Sequence, residues 1–496
     1  MFKEYPQYDA IALADLLKKR DIKPTEVVEA AIAQIEKHNT QLNAVVHKQF
    51  DQARHLATQC DVDSAPLAGV PFLLKDLLGE EANQPSTSSC PPLAEWKAPV
   101  DAELTKRYKN AGLSILGRCN TPQLGIYAVT ESEFRGPCLN PWNTKHTCGG
   151  SSGGSASAVA SGMTPVAHAG DGGGSIRIPA SHCGLVGLKV SRGKLPSGPY
   201  RGERWNGFVC EGVVSKSVRD TALILELTQG SDIGSPYAAP PNENYLEAIE
   251  VAPKQCRIAF TNTTLFGADS KGTHPDNQKA LDKTVKLLES LGHTVEEACP
   301  TYDREALTFA YYVVVSTGVG LGIKQMEEKL GRKIKMSELE MSTWALDTIS
   351  HAISATEYSY HVNTIQREAR KVGEFFQKYD ILLTPTTAKP PVEIGTFKLS
   401  TSQKMQIHAL RRVPIRSLID KALNSLASSA LAATPNTMLF NQTGQPAISV
   451  PLYWNEQNLP IGSQLVGRFG EEKLLLQLAR QLEIAEPWYH RYASIQ

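Results

Sequence analysis

The 496-residue chain has little that points to a metal site or a disulfide framework. Its nine cysteines are odd in number and scattered, and no two form a Cys-x-x-Cys pair. In a chain of this length that spacing predicts reduced thiols in a cytoplasmic protein, most of them packing residues. The twelve histidines include no His-Glu-x-x-His motif and form no cluster with cysteine, so no bound metal is predicted.

The chain also has no formal net charge, because Lys plus Arg and Asp plus Glu number 51 each. Without a basic excess we expect neither nucleic acid nor anionic lipid as a partner, and a small molecule is the expected substrate. Hydrophobic residues make up 41% and charged residues 21%, a composition typical of folded globular proteins. Since single cores stop growing at roughly 250–300 residues, the length predicts one very large α/β unit or two lobes.

No hydrophobic run is long enough to predict a membrane span. The longest uncharged apolar stretch, Phe309 to Ile323, is shorter than the ~18–20 residues that a spanning helix needs. Ser316, Thr317 and three glycines interrupt it, so we expect a buried or pocket-lining helix and no membrane contact. The N-terminus shows no apolar segment typical of a secretory signal.

Short apolar runs alternate with helical patterns, which predicts an α/β fold. The chain divides into an N-terminal helical segment (1–60), a core (61–235), a mostly helical substrate region with some strands (236–440) and C-terminal strands with a helix (441–496). Residues 148–198 are rich in Gly, Ser and Ala but carry apolar runs between them. This mixture indicates packed core whose backbone approaches another group closely, and it is not typical of a flexible linker. Residues 306–378 and 404–431 are expected to be mostly helical, and two runs near 447–467 form a predicted hairpin.

Three segments carry candidate chemistry, and the first is GDGGGSIRIP at 170–179. Consecutive glycines before Ser175 allow backbone N–H groups to converge on one developing negative charge. The candidate donors are the amides of Gly172, Gly173, Gly174 and Ser175. A tight turn is the structural alternative, and a phosphate cradle is disfavoured because no Gly-Lys-Ser/Thr follows.

The other two segments are GGSSGGS at 149–155 and GVPFLLKD at 69–76. A nucleophilic serine needs a base within reach, and His168 and His182 fit a packing role better. Ser151 offers a hydroxyl that could relay a proton instead. Lys75 lies in an apolar run, where burial lowers a pKa that is ordinarily ~10.4, and a strand would turn Asp76 to the opposite face. A snorkelling or ion-paired Lys75 remains open.

Together these motifs resemble the amidase signature family, and so do Asn140-Pro141-Trp142, CGLVGLKVSRGKLPSGP and GQPAISVP. The resemblance implies a large mixed, mostly twisted β-sheet flanked by many helices. By position it implies Lys75 as base, Ser151 as a cis-serine relay and Ser175 as nucleophile, with the 172–175 amides as oxyanion hole. Ser152, Asp171 and Arg177 would support this loop, and no cofactor is required.

Within the family the sequence is similar to 6-aminohexanoate cyclic-dimer hydrolases and related broad amidases. This implies cleavage of a small linear or cyclic amide through an acyl-enzyme, with Ile126 in an apolar acyl pocket and a homodimer as one option. The alternatives are an aryl acylamidase, a fatty-acid or peptide amidase, the A subunit of a glutamyl-tRNA amidotransferase, or a silent binding protein. Two departures from the family pattern stand out: Arg118-Cys119 replaces a usual Lys-Thr, and Gly172 replaces a bulkier apolar residue. We expect Gly172 either to loosen the loop or to leave space near the substrate carbonyl.

Overall fold

The computed structural model describes residues 2–267, 272–412, 433–493 and 495. Within them one sheet of eleven strands runs through the molecule. Its strands in chain order are β1 (Val45–Lys48), β2 (Pro71–Lys75), β3 (Ser114–Cys119), β4 (Val166–Asp171), β5 (Val186–Lys189), β6 (Cys210–Ser215), β7 (Arg257–Phe260), β8 (Thr294–Glu297), β9 (Ile381–Pro385), β10 (Ala447–Trp454) and β11 (Pro460–Gly467). All four predicted segments of the chain therefore contribute strands to it.

The spatial order of the strands is β1-β3-β2-β4-β6-β5-β10-β11-β9-β7-β8. Strand β2 runs parallel to β3 and β4, and β7 runs parallel to β8 and β9. The remaining neighbours are antiparallel, including the predicted hairpin of β10 and β11. The predicted mixed sheet flanked by helices is confirmed.

In the described residues, α-helices precede, connect and follow these strands. They are α1 (Ala10–Lys18), α2 (Pro24–Leu42), α3 (Phe50–Thr58), α4 (Glu103–Asn110), α5 (Gly153–Ala160), α6 (Arg177–Cys183), α7 (Val218–Thr228), α8 (Tyr245–Ala248), α9 (Pro275–Ser290), α10 (Arg304–Leu330), α11 (Met341–His351), α12 (Ala355–Lys378), α13 (Thr401–Arg412), α14 (Leu439–Thr443) and α15 (Glu472–Ala485). Residues 413–431 of the second predicted helical region lie outside the described residues.

Strands β2 and β4 bring the predicted chemistry together. Every residue of β2 is buried, as expected for a near-continuous apolar strand inside a sheet. Phe72 pairs with Val166 and Leu73 with Ala167, so both strands end at the same edge. Lys75 is the last residue of β2, and Asp171 is the last residue of β4. Ligand sites form at such carboxyl ends, and the glycine loop starts there.

Helix α10 contains the apolar stretch that the sequence singles out. By length and composition it could cross a membrane, and 61% of its most apolar 18-residue window is buried in the fold. Tyr311, Val314 and Val315 belong to a core cluster that also includes Leu382 of β9 and Val466 of β11. Its Gly318, Val319 and Met326 line a cavity, so α10 is the predicted pocket-lining helix.

Candidate active site

Lys75 places its amine deep in the protein, where 1% of the residue is exposed. Its Nζ lies 2.7 Å from Ser151 Oγ, 3.0 Å from Ser152 Oγ and 3.5 Å from the carbonyl oxygen of Gly170. No carboxylate of the described residues forms an ion pair with it. Burial lowers the pKa of Lys75 to about 7, because a charged amine loses its hydration there. An uncharged amine is therefore available near neutral pH.

The side chain of Asp76 leaves on the other face of the strand, as the alternation along β2 predicts. Its carboxylate accepts hydrogen bonds from the backbone N–H of Thr87, at 2.8 Å, and from the Thr87 hydroxyl. Behind Lys75, the buried Arg118 donates to the carbonyl oxygens of Lys75 and Gly79, each at 3.0 Å. Arg118, which replaces the usual lysine of the family, thus supplies a guanidinium that holds the backbone of Lys75 in place.

Ser151 and Ser152 precede helix α5, and the peptide bond between Gly150 and Ser151 is cis. Ser152 does more than support the loop, because its hydroxyl contacts the amine of Lys75 directly. The same hydroxyl donates to the Gly170 carbonyl and accepts from the Gly170 N–H, both at 3.2 Å. The backbone N–H of Ser152 also donates to the carbonyl of Ser175, at 3.3 Å. The two serine loops are thereby held against each other.

Ser175 is half-buried at the end of the glycine loop and lines the same cavity as Lys75 and Ser151. In the described residues no hydrogen bond joins its hydroxyl to that of Ser151. Two carbonyls of the loop accept side-chain hydrogen bonds: Gly172 accepts from Tyr311 Oη at 3.3 Å, and Gly173 accepts from Thr437 Oγ1 at 2.6 Å. These two contacts leave the peptide N–H groups of Gly173 and Gly174 on the opposite side of the chain.

Gly174 differs from its neighbours, because its N–H donates to Asp171 Oδ1 at 2.6 Å. Its amide is already used inside the loop. The N–H groups of Gly172, Gly173 and Ser175 have no acceptor among the described residues. The free donors are thus three of the four amides that the sequence suggests.

Asp171 and Arg177 form a fully buried ion pair beneath the loop, with Arg177 Nε 2.9 Å from Asp171 Oδ2. Burial alone would raise the pKa of Asp171, but Arg177 and Asn441 hold it well below its usual range. The guanidinium also donates to Thr437 O, Gln464 Oε1 and Asn441 Oδ1, at 2.7–2.9 Å. This network fixes the loop shape, as the resemblance implies for Asp171 and Arg177.

In the described part of the chain, the two histidines near the loop form no side-chain hydrogen bond with Ser175. His168 accepts from the backbone N–H of Lys75 at Nδ1, at 3.3 Å, and its Nε2 lies 2.9 Å from Glu211 Oε2. The glutamate therefore selects the tautomer that helps to hold Lys75. His182 is buried, neither ring nitrogen has a partner among the described residues, and desolvation lowers its pKa to about 3. Both histidines fit the packing role.

Two cavities meet at Ser175. The first, of about 160 Å³, is lined by Lys75, Ser151, Gly172 and Ser175 together with Arg201, Glu203, Arg204 and Lys329. The second, of about 80 Å³, is uncharged and lined by Gly125, Ile126, Tyr127, Ala128, Gly173, Ser175, Ile178, Trp205, Tyr311, Tyr312, Val315, Ser342, Leu346 and Met438. Ile126 thus lies in an apolar pocket beside Ser175. We call the two spaces the charged cavity and the apolar cavity.

Several residues of the site have no motif in the sequence. Trp205 is the clearest, because a Cβ placed on Gly172 would lie 2.8 Å from its ring. The space expected beside Gly172 is therefore filled by this indole. Thr437 and Asn441 lie more than 260 residues from the loop that they hold. Only the matching GQPAISVP segment that follows them hinted at a contribution from this region.

A desolvated lysine beside two serine hydroxyls, next to a glycine loop with free amides, is a centre suited to breaking amide bonds, and the protein is an amide hydrolase. Residues 26–476 match the family model described as Amidase, and the chain belongs to this amidase signature family. A 6-aminohexanoate-cyclic-dimer hydrolase of Pseudomonas sp. (strain NK87) is 34% identical over 491 residues, 97% of this chain and 96% of the relative.

Solved structures of amidases are similar to this chain over nearly its whole length. A 6-aminohexanoate cyclic dimer hydrolase complexed with substrate superposes with a TM-score of 0.89 at 33% identity, covering 99% of both chains. A bacterial aryl acylamidase of the amidase signature family has a TM-score of 0.84 at 26% identity, covering 97% of this chain and 98% of its own. A native peptide amidase from Stenotrophomonas maltophilia, 19% identical with a TM-score of 0.78, covers 99% of each chain and shares the fold.

Proposed function

We propose that Ser175 attacks the amide carbonyl, that Ser151 relays its proton and that Lys75 is the base. The observation that carries this proposal is the 2.7 Å contact between Lys75 Nζ and Ser151 Oγ in a buried site where no described carboxylate pairs with the amine. With a pKa of about 7, Lys75 can accept a proton near neutrality, which an ordinary lysine cannot.

The hydrogen bonds around Lys75 favour transfer of a proton from Ser151 to the amine. A neutral amine has two N–H groups and one lone pair. The Ser152 hydroxyl gives its own proton to Gly170 O, so Ser152 Oγ and Gly170 O are the two acceptors for the amine. The lone pair of Lys75 is then left for the O–H of Ser151.

The reaction follows in two halves. Lys75 takes the Ser151 proton as Ser151 takes the proton of Ser175, and Ser175 Oγ bonds to the carbonyl carbon. The C–N bond then breaks, Ser151 protonates the leaving nitrogen, and Lys75 returns its proton to Ser151. Water attacks the resulting acyl ester by the same proton path, which releases the acid and restores Ser175.

The negative oxygen of the tetrahedral intermediate needs fixed donors. The free N–H groups of Gly172, Gly173 and Ser175 support this role, whereas the N–H of Gly174 holds Asp171. Each such donor typically contributes ~3–4 kcal/mol to lowering the barrier. The proposed oxyanion hole therefore consists of three amides, with Gly174 as a structural residue of the loop.

For substrates we propose small linear or cyclic amides, including amides like the 6-aminohexanoate cyclic dimer for which the Pseudomonas relative is named. The apolar cavity, with Ile126 and three tyrosines, supports an aliphatic or aryl acyl group. The cytoplasmic location, the homodimer and the absence of a nucleic-acid or membrane partner stay predictions.

The test combines active-site labelling with a substrate panel. A fluorophosphonate probe should label the wild type at Ser175, mapped by mass spectrometry, and should not label Ser175→Ala. The chain alone should hydrolyse members of a panel of cyclic and linear 6-aminohexanoate dimers and anilides. Ser155→Ala is the matched control, since the Ser155 hydroxyl donates to the His168 carbonyl at 2.7 Å and Ser155 lines neither the charged nor the apolar cavity. Near-wild-type turnover by Ser175→Ala would overturn the assignment.

A further inference from the structure

The charged cavity contains a cation that the proposed mechanism does not use. Arg204 is half-buried in its wall, and its guanidinium forms no hydrogen bond or ion pair with any described residue. Its pKa is lowered, chiefly by desolvation, to about 9, so the guanidinium remains protonated at neutral pH. A desolvated, unpaired cation is costly, and a bound anion would recover that cost.

The other ionisable side chains that line this cavity have partners within the protein or, like Lys75, are neutral. Arg201 is paired with Glu80 at 2.8 Å, and the Glu203 carboxylate accepts a hydrogen bond from Tyr237 Oη. Lys75 is uncharged in its reactive form. Lys329 lies over the Trp96 ring with its Nζ 4.0 Å from the ring centroid, and none of the described carboxylates pairs with it. Glu203 keeps its negative charge, so the two positive charges of Arg204 and Lys329 exceed the remaining negative charge of the lining by one.

The position of Arg204 is set by its neighbour in the chain. The Trp205 ring packs against Gly172 of the oxyanion loop and against Gly318 of α10, where an added Cβ would lie 2.2 Å from Trp205 Cδ1. Arg204 is thus anchored beside the reacting centre. The Arg204 guanidinium is close enough to the Lys75 amine for its positive charge to contribute to lowering the pKa of Lys75.

The two cavities differ in the part of the substrate that they can receive. Ser151 lines the charged cavity and is absent from the lining of the apolar cavity. Because Ser151 is the proposed proton donor to the leaving nitrogen, the amine half of the substrate faces the charged cavity. The acyl half then occupies the apolar cavity, whose lining includes no charged residue.

Resting on the proposed function, we infer that the preferred substrates carry a carboxylate on the leaving amine, which Arg204 binds, and an apolar acyl group. The chemical class is an N-acyl amino acid or a linear amide that ends in a carboxylate. A guanidinium presents two parallel N–H groups that match a planar carboxylate, and this pairing gives geometric selectivity as well as affinity.

The test uses substrates that differ only in terminal charge. N-butanoyl-6-aminohexanoate carries the carboxylate, N-hexylbutanamide is neutral, and N-(6-aminohexyl)butanamide is cationic, and glycine- and 4-aminobutanoate-length acids vary the reach. We expect kcat/KM to be at least about tenfold higher for the best acid than for its neutral counterpart, and lowest for the cation.

The variants separate binding from chemistry. In Arg204→Gln the ratio of kcat/KM for acid over neutral substrate should fall about tenfold, towards one, mostly through KM, and Arg204→Lys should restore part of it. The ratio is the readout because loss of this charge also raises the pKa of Lys75 and affects all substrates. Arg257→Gln is the control, an exposed arginine that pairs with Glu296 on β8.

The outcomes distinguish the two proposals. If the wild type cleaves neutral amides without preferring acids, or if Arg204→Gln keeps the preference, the carboxylate site is overturned while the amidase mechanism stands. If the wild type cleaves none of these amides and Ser175 is not labelled by a fluorophosphonate, both proposals fail.

Discussion

The walls of the charged cavity are built in different ways. The catalytic wall, formed by Lys75, Ser151, Ser175 and the glycine loop, is made of strand ends and short loops whose polar groups are tied by hydrogen bonds. The substrate wall, formed by α10 residues 318–329 and the loop 201–209, consists of side chains with few such ties. Leu321 of this wall is 56% exposed. The sheet and its loops thus hold the reacting groups in place, while selectivity depends on the side chains of α10 and of the 201–209 loop.

The largest expected effect lies in the catalytic wall. Ser175→Ala should lower kcat by a factor on the order of 10³–10⁶, because no other hydroxyl can form the acyl ester. Lys75→Ala combined with Ser175→Ala should cost little more than either change alone, since triad residues act as a unit. Steady-state kinetics with an anilide substrate measures both. Additive losses would contradict a shared proton path.

A second prediction concerns the ion pair beneath the glycine loop. Asp171→Asn leaves a fully buried Arg177 without its counter-charge, which typically costs about 3–5 kcal/mol of folding stability. Activity should also fall, on the order of 10²-fold, as the loop amides lose their fixed direction. Chemical denaturation and kcat together check this. Glu296→Gln, which breaks an exposed pair, should leave both unchanged, and an unaffected Asp171→Asn would show that the loop holds its shape without the pair.

The catalytic wall could be predicted from the sequence because its parts are local. Lys75, Ser151 and Ser175 each lie in a motif of about ten residues or fewer, and short glycine-rich segments have few alternative shapes. The contacts that hold Arg177 could not be predicted, since Thr437, Asn441 and Gln464 meet it only through the folded sheet. Arg204 lies in a loop without a motif, and only packing of its neighbour Trp205 places it at the cavity.

Ser152 tests whether the hydrogen bonds of Lys75 matter beyond its burial. Ser152→Ala removes one acceptor of the amine, so its lone pair is no longer directed at Ser151 alone. We expect a loss of about 10- to 100-fold in kcat, with a smaller change in KM. Ser155→Ala, in the adjoining helix and without contact to Lys75, is the control. Equal effects of the two variants would assign Ser152 a purely structural role.

The pH profile reports the charge of Lys75. Its neutral form is active, so kcat/KM should rise with pH, level off above a pKa of about 7, and fall about tenfold per unit below it. Glu211 raises the pKa of Lys75 through its negative charge. Glu211→Gln should therefore move the profile towards lower pH. A kcat/KM profile that stays flat from pH 5 to pH 9 would contradict the assignment of Lys75 as the base.

The smallest expected effect lies in the apolar cavity, which is lined mostly by apolar side chains. Ile126 lines this cavity next to Ser175 and is half-buried, so only part of its surface can contact an acyl group. Ile126→Ala should lower kcat/KM for short acyl chains severalfold and favour longer or bulkier ones, because each buried methylene contributes about 1 kcal/mol. Fluorophosphonate labelling of Ser175 should not slow, since the catalytic wall is untouched. Ile233→Ala, at a fully exposed position, is the matched control. If Ile126→Ala slowed labelling as much as it slowed turnover, the two walls would be coupled, and the separation of reactivity from selectivity would not hold.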